Sequence, residues 1–186
     1  MYGPLGYLDS ENFNPYHKHE VFLQNLNDEI IRNKTNPFVS HHIRKYNGKF
    51  PLWVAVELFS LGVLSKFYAD LKLKEKKSIA KEISQHHRNV SSWLHCLTIL
   101  RNSCAHYSRL YFKSFPTSPA DPNGQEPLGE SLFDYMRVMK YLHADKDKWN
   151  NTFVTNISSI ITEYSDSIKL EHIGFPLNWK QQLIKQ

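Results

Sequence analysis

The stretch Asn89-Val90-Ser91-Ser92-Trp93-Leu94-His95-Cys96-Leu97-Thr98-Ile99-Leu100-Arg101-Asn102-Ser103-Cys104-Ala105-His106-Tyr107-Ser108-Arg109-Leu110-Tyr111 decides the reading of the fold. On a helical wheel at ~100° per residue with Arg101 at zero, Trp93, Leu97, Leu100, Cys104 and Tyr107 fall at about 240–320°, a compact apolar face. His95, Thr98, Asn102, His106 and Arg109 fall at about 60–140° on the other side, and the long Arg101 side chain flanks them. A helix with one buried face usually carries Lys and Glu opposite. This one carries two imidazoles, an amide, a hydroxyl and two guanidinium groups, with no acid between Val90 and Tyr111. Such a stripe attracts an anion, and its histidines can move protons near neutral pH. The competing reading is a solvated polar face that is basic by composition.

Working outward, helical periodicity covers most of the chain. Val21, Phe22, Leu26, Ile30 and Ile31 predict a helix over 18–33, broken by Thr35-Asn36-Pro37. A short segment leads to a turn at Asn47-Gly48, and Pro51 suits the first turn of a helix over 52–71. A third helix is expected over 74–85, with His86-His87-Arg88-Asn89 as connector and Asn89 or Ser91 as caps for the fourth, over about 89–111. Residues 113–129 hold four prolines and two glycines and are read as a long exposed loop. Further helices are expected over 130–144 and 146–167, with a short one over 177–185. Strand-like alternation is absent and no repeat is visible. The expectation is an all-α bundle: an irregular arm over 1–17, then a single domain over 18–186.

Composition narrows the function classes. The 186 residues carry 23 Lys plus Arg against 18 Asp plus Glu, a net charge of +5, and 41% of them are hydrophobic. A disordered tail, a fibre and a coiled-coil rod are excluded. Neither GxGxxG nor GxxxxGK[ST] occurs, which argues against dinucleotide-binding and P-loop enzymes, and no GxSxG elbow supports a serine hydrolase. Cys96 and Cys104 would lie about 12 Å apart on one helix, too far for a disulfide, and are read as half-buried reduced thiols of a cytoplasmic protein. No basic-then-apolar leader opens the chain. The apolar run from Leu52 to Leu64 is interrupted by Glu57 and Ser60 and reads as a core helix, with no membrane partner. No metal or other cofactor is expected: His95 and His106 are eleven residues apart with no carboxylate or thiolate on their face. The pairs His17 and His19, His41 and His42, and His86 and His87 are read as solvated.

The run Arg101-Asn102-Ser103-Cys104-Ala105-His106 resembles the R-x4-6-H motif of HEPN ribonucleases, including the polar residue after the arginine. Around it, Trp93-Leu94-His95, Leu100-Arg101-Asn102, Cys104-Ala105-His106 and Ser108-Arg109-Leu110 look like the signature of the Abi-like (AbiD/AbiF) abortive-infection family. Phe50-Pro51-Leu52-Trp53-Val54-Ala55-Val56-Glu57 and Leu61-Gly62-Val63-Leu64-Ser65-Lys66-Phe67-Tyr68 resemble that family's preceding block, and Tyr7-Leu8-Asp9 with Phe38-Val39 to Tyr46 the block before it. The resemblance covers most of residues 1–112. Members usually carry a further helical region ahead of these blocks, so it also implies a shortened copy.

The resemblance implies a HEPN-like helical bundle that cuts RNA without a metal, in a site shared across a homodimer, as an RNA-cleaving toxin in phage defence. His106 would be the base or acid, Arg101 would hold the scissile phosphate, and Asn102, about 40° from His106 on the wheel, would orient it or bind substrate. Arg109 and His95 are candidates for gripping flanking phosphates or guide RNA. Glu57, the one charge in its apolar run, is either a buried partner for a basic group, with Arg101 as a candidate, or a lone acid at a helix edge; the buried partner is the expectation, because an unpaired carboxylate there is costly. The lysines of residues 72–81 offer a weaker RNA-binding surface. Tyr107, Tyr111 and Phe112 are expected in the core or at the dimer contact. A small noncoding RNA or an antitoxin is a further expected partner. Two other readings stay open: a non-catalytic module holding a small structured RNA, and a helical protein-interaction domain.

Overall fold

Tyr7, Phe13, Phe22 and Phe67 are far apart in sequence, and in the computed structural model, which describes residues 2–185, they share one core. Two compact units make up the chain, Met1–Ser78 and Ile79–Gln186. Secondary structure among the described residues is all-α, with a lone antiparallel bridge between Phe13 and Leu71.

The first unit holds α1 (His19–Arg32), α2 (Pro37–Tyr46), α3 (Leu52–Ala55), α4 (Leu61–Asp70) and the start of α5 (Leu73–Glu82). Phe22 and Leu26 of α1, Val39 of α2, Ala55 of α3 and Phe67 of α4 are buried together. The stretch expected as an irregular arm is, over its described residues 2–17, part of this packing. They form 3-10 turns at Gly6–Leu8 and Ser10–Asn12, and bury Tyr7 and Phe13. The Tyr7 hydroxyl donates to the Phe50 carbonyl at 2.6 Å, and the Leu52 N–H donates to the Pro4 carbonyl at 2.8 Å. His17 is not solvated either. Its side chain is 4% exposed, Nδ1 lies 2.9 Å from Asp70 Oδ2, and its ring stacks on Phe13 at 3.9 Å.

The helix expected over 52–71 breaks in two. After α3 a 3-10 turn covers Val56–Leu58, Phe59 is extended, and Ser60 caps α4 by accepting the Val63 N–H at 3.2 Å. A serine side chain that satisfies a first-turn donor favours a new start over a continuous run. The segment before Asn47-Gly48 becomes α2, which Pro37 opens at its first position and Asn36 caps.

The second unit contains α6 (His87–Ala105), α7 (Leu132–Leu142), one long helical run and the short α10 (Trp179–Leu183). That run joins α8 (Lys146–Lys148), a π-helical stretch Trp149–Val154 and α9 (Thr155–Glu163). The proline-rich segment 113–129 is irregular as expected, but it is not simply exposed. Phe115, Pro119 and Asp121 are buried. Trp93 Nε1–H donates to the Ala120 carbonyl at 2.7 Å, Ser92 Oγ accepts from the Ala120 N–H at 3.0 Å, and the Asn89 amide reaches the Asp121 carbonyl at 3.3 Å. From α7, the Tyr135 hydroxyl donates to the Thr117 carbonyl at 2.5 Å. Prolines remove donors but leave carbonyls to be satisfied; Trp93, Asn89 and Tyr135 satisfy strap carbonyls, and Ser92 takes the Ala120 N–H. The segment is a strap along the buried face of α6.

Burial pushes the Tyr7 and Tyr68 phenols up to about 12. Below about pH 10 both are protonated in the folded and unfolded chain alike. Above it the unfolded chain releases these protons first, so stability falls as pH climbs from about 10 to about 12, by up to about 1.4 kcal/mol per unit for each phenol. Urea unfolding compared at about pH 9 and about pH 11 should show this loss, and the double variant Tyr7→Phe, Tyr68→Phe should reduce it, the remainder coming from Tyr135 and Tyr141, whose phenols burial also pushes up.

Candidate functional site

The polar stripe of α6 is set by where the helix starts, which face it buries and where it stops. It starts one turn earlier than expected. His86 is the cap, its Nδ1 accepting the Arg88 N–H at 3.4 Å, while Asn89 lies inside the helix and binds the strap. Val90, Trp93, Cys96, Leu100 and Ser103 form the buried side. Leu97 is half-buried, whereas Cys104 is exposed and Tyr107 is 97% exposed. The buried face is thus turned from the expected one toward Ser103, because the strap contacts Asn89, Trp93 and Cys96. Only Cys96 of the two thiols is enclosed, and burial pushes it up from its ordinary value.

The helix stops at Ala105, six residues before the expected end. Ser108 N–H bonds the Ser103 carbonyl at 2.9 Å and Tyr107 N–H bonds the Cys104 carbonyl at 3.1 Å, the paired bonds of a Schellman stop. Tyr107 takes the left-handed position at φ 52°, where glycine is usual. His106 is therefore the C-cap residue and projects from the helix end. Arg109 lies beyond the helix, on an irregular segment, and is exposed; helical geometry does not put it on the stripe.

Arg101, Asn102 and His106 are all exposed. Asn102 links them: its side-chain oxygen accepts from Arg101 Nη1 at 3.1 Å, and its carbonyl accepts the His106 N–H at 3.0 Å. One amide residue thus holds the guanidinium with its side chain and the histidine backbone with its main chain. His95 is exposed on α6, about 16 Å back along the axis from His106 at ~1.5 Å per residue. Glu57 belongs to the first unit and is exposed, so no desolvation cost calls for a buried partner, and that expectation is withdrawn.

The segment after the helix is anchored by residues whose role the sequence does not announce. The Tyr111 hydroxyl accepts the Lys169 N–H at 2.9 Å and lies 2.8 Å from His172 Nδ1. The Phe112 ring stacks on His172 at 4.0 Å, at φ 59°. Tyr111 and Phe112 therefore pin the Arg109 segment to the 3-10 turn Leu170–Ile173. His172 is 61 residues from Tyr111, with no periodic signal to pair them. Among the described residues, no group of three or more His, Cys, Asp or Glu side chains is placed to hold a metal ion.

Fold and site define an all-α protein with a cationic, imidazole-bearing helix end. A sequence model described as Abi-like protein matches residues 1–112, and the chain belongs to that family. The match spans the first unit and α6 and ends at Phe112, ahead of the strap. No curated protein and no solved structure matches the chain. Among the described residues no helix is long and apolar enough to cross a membrane.

A tyrosine held in the left-handed region costs roughly 1–2 kcal/mol, and an exposed ring recovers little of it by packing. Tyr107→Gly should raise stability by about 1 kcal/mol in urea unfolding; a loss of similar size would show that the Tyr107 ring has a packing role.

Proposed function

We propose that the chain is a HEPN-type endoribonuclease that cuts RNA through the RNA's own 2′-hydroxyl. The observation that carries this reading is the exposed trio Arg101, Asn102 and His106 at the end of an acid-free helix, with the guanidinium steadied by the Asn102 oxygen at 3.1 Å. Self-scission needs a base for the 2′-proton, positive charge over the phosphorane, and an acid for the leaving 5′-oxygen. The O2′–P bond forms as the P–O5′ bond breaks, leaving a 2′,3′-cyclic phosphate and a 5′-hydroxyl. His106 takes or gives the proton. The planar fork of Arg101 matches the phosphate oxygens.

One chain offers one His106, while the reaction asks for both an acid and a base. A second copy, related by two-fold symmetry, supplies the other, so the working form is a homodimer. Arg109 and His95 then serve flanking phosphates. Membership of the Abi-like family supports a role as an RNA-cleaving toxin in abortive infection, restrained by a small noncoding RNA or an antitoxin.

Purified protein incubated with single-stranded RNA in EDTA should yield fragments ending in 2′,3′-cyclic phosphate and leave DNA intact. His106→Ala and Arg101→Ala should each slow cleavage by about 100-fold or more. RNA binding without cutting, unaffected by His106→Ala, would replace this reading with a module that only holds RNA. A monomer in sedimentation would remove the shared site.

A further inference from the structure

The first unit carries an aromatic cleft that the proposed cleavage chemistry does not use. Tyr46 ends α2, Asn47 and Gly48 reverse the chain at φ 51° and 71°, and Trp53 stands in α3. Phe50 between them is 2% exposed, its carbonyl is held by Tyr7, and Leu52 is tied to Pro4. The backbone on both sides of the cleft is thus fixed from below. The side chains above it are open: Trp53 is 66% exposed and Tyr46 47%. Together with His41, His42, Lys49 and Pro51 they line a cleft of about 480 Å³. That volume falls within the range of roughly 300–1,000 Å³ for small-ligand sites.

Charge decides the occupant. No acidic side chain lines the cleft. From Ile30 to Val56 the sequence has five Arg and Lys residues and no Asp or Glu. Lys45 Nζ lies 5.6 Å from the centre of the Tyr46 ring. A second copy of the chain would set these cations against their own images, which is unfavourable. Interface cores between proteins are depleted of lysine, whereas sites for single-stranded nucleic acid join aromatic faces to a cationic track. We propose that this cleft stacks bases of single-stranded RNA on Trp53 and Tyr46, with Lys45 and Lys49 meeting the adjoining phosphates. The ligand class rests on the ribonuclease reading, but neither Arg101 nor His106 is among the residues that line the cleft.

The test uses the full chain with His106→Ala, so that the probe is not consumed, and follows intrinsic tryptophan emission. Of the four tryptophans, Trp93 and Trp149 are 0% and 1% exposed and Trp179 is half-buried, so Trp53 is the ring most open to a stacking base. Single-stranded oligoadenylate should quench the emission, and Trp53→Phe should abolish the quenching. Trp53→Ala should weaken binding roughly ten-fold or more. Lys49→Gln should lower the salt dependence by about 0.7 in log–log slope, one phosphate contact. Quenching that survives Trp53→Phe, unchanged affinity in a folded Trp53→Ala protein, or equal quenching by duplex RNA would overturn the proposal. Cleavage by the wild-type chain without this quenching would sink the cleft alone. Quenching without any wild-type cleavage would sink the ribonuclease and leave the cleft standing.

Discussion

The bond from Ser108 N–H to the Ser103 carbonyl, at 2.9 Å, is the constraint on which the candidate site depends. It ends α6 one residue before His106, releases that imidazole from the helical surface and turns the chain toward Tyr111. Had the helix run on, His106 would sit mid-helix beside Arg109. Instead the histidine caps the helix and Arg109 lies on a segment pinned by Tyr111 and Phe112. The cost is a tyrosine in left-handed backbone, which persists because both capping bonds and the downstream anchors hold it there.

The opposite face of α6 is held by unusual means. A helix of this kind normally buries its apolar side against other helices, and here part of that side meets a segment without regular structure. The strap has too few donors of its own, and Asn89, Ser92 and Trp93 are spaced at three- and four-residue intervals to meet its backbone. Tyr135 adds a bond from α7. With the buried face of α6 occupied in this way, Arg101, Asn102 and His106 remain on the open side. The family match stops before the strap, so the matched region includes the polar stripe and not the segment that backs it.

Much of the helix content was legible because apolar spacing is a local signal. The helices beginning near residues 19, 73, 132 and 146 fall close to where periodicity puts them. The errors lie where a local rule meets a tertiary one. In sequence Ser60 is a polar residue inside an apolar run, and in the structure it is the cap that splits that run. Proline density marked 113–129 as irregular but could not show that its carbonyls would be claimed by α6. Tyr107, expected in the core or at a dimer contact on a helix running to Tyr111, is left exposed by the Schellman stop, whereas Cys104, expected half-buried, is exposed because the buried face of α6 turns toward Ser103. For the site, the exposure of Arg101, Asn102 and His106 follows from the wheel, because their face has nothing apolar to bury. The pairing of Tyr111 with His172, and the burial of His17 against Phe13, join residues with no shared period. The apolar neighbours of Glu57 point to a buried helix, whereas Glu57 lies on a short 3-10 turn open to solvent.

A DNA strand carrying a single ribonucleotide isolates the central claim, since it offers one attacking 2′-hydroxyl at one known place. A cut is expected immediately 3′ of that ribonucleotide, with a cyclic phosphate on the upstream fragment and product formation slowed about 100-fold or more when Arg101 or His106 is replaced by alanine. Cutting at deoxynucleotides, or an upstream fragment ending in a free 3′-hydroxyl, would contradict that claim.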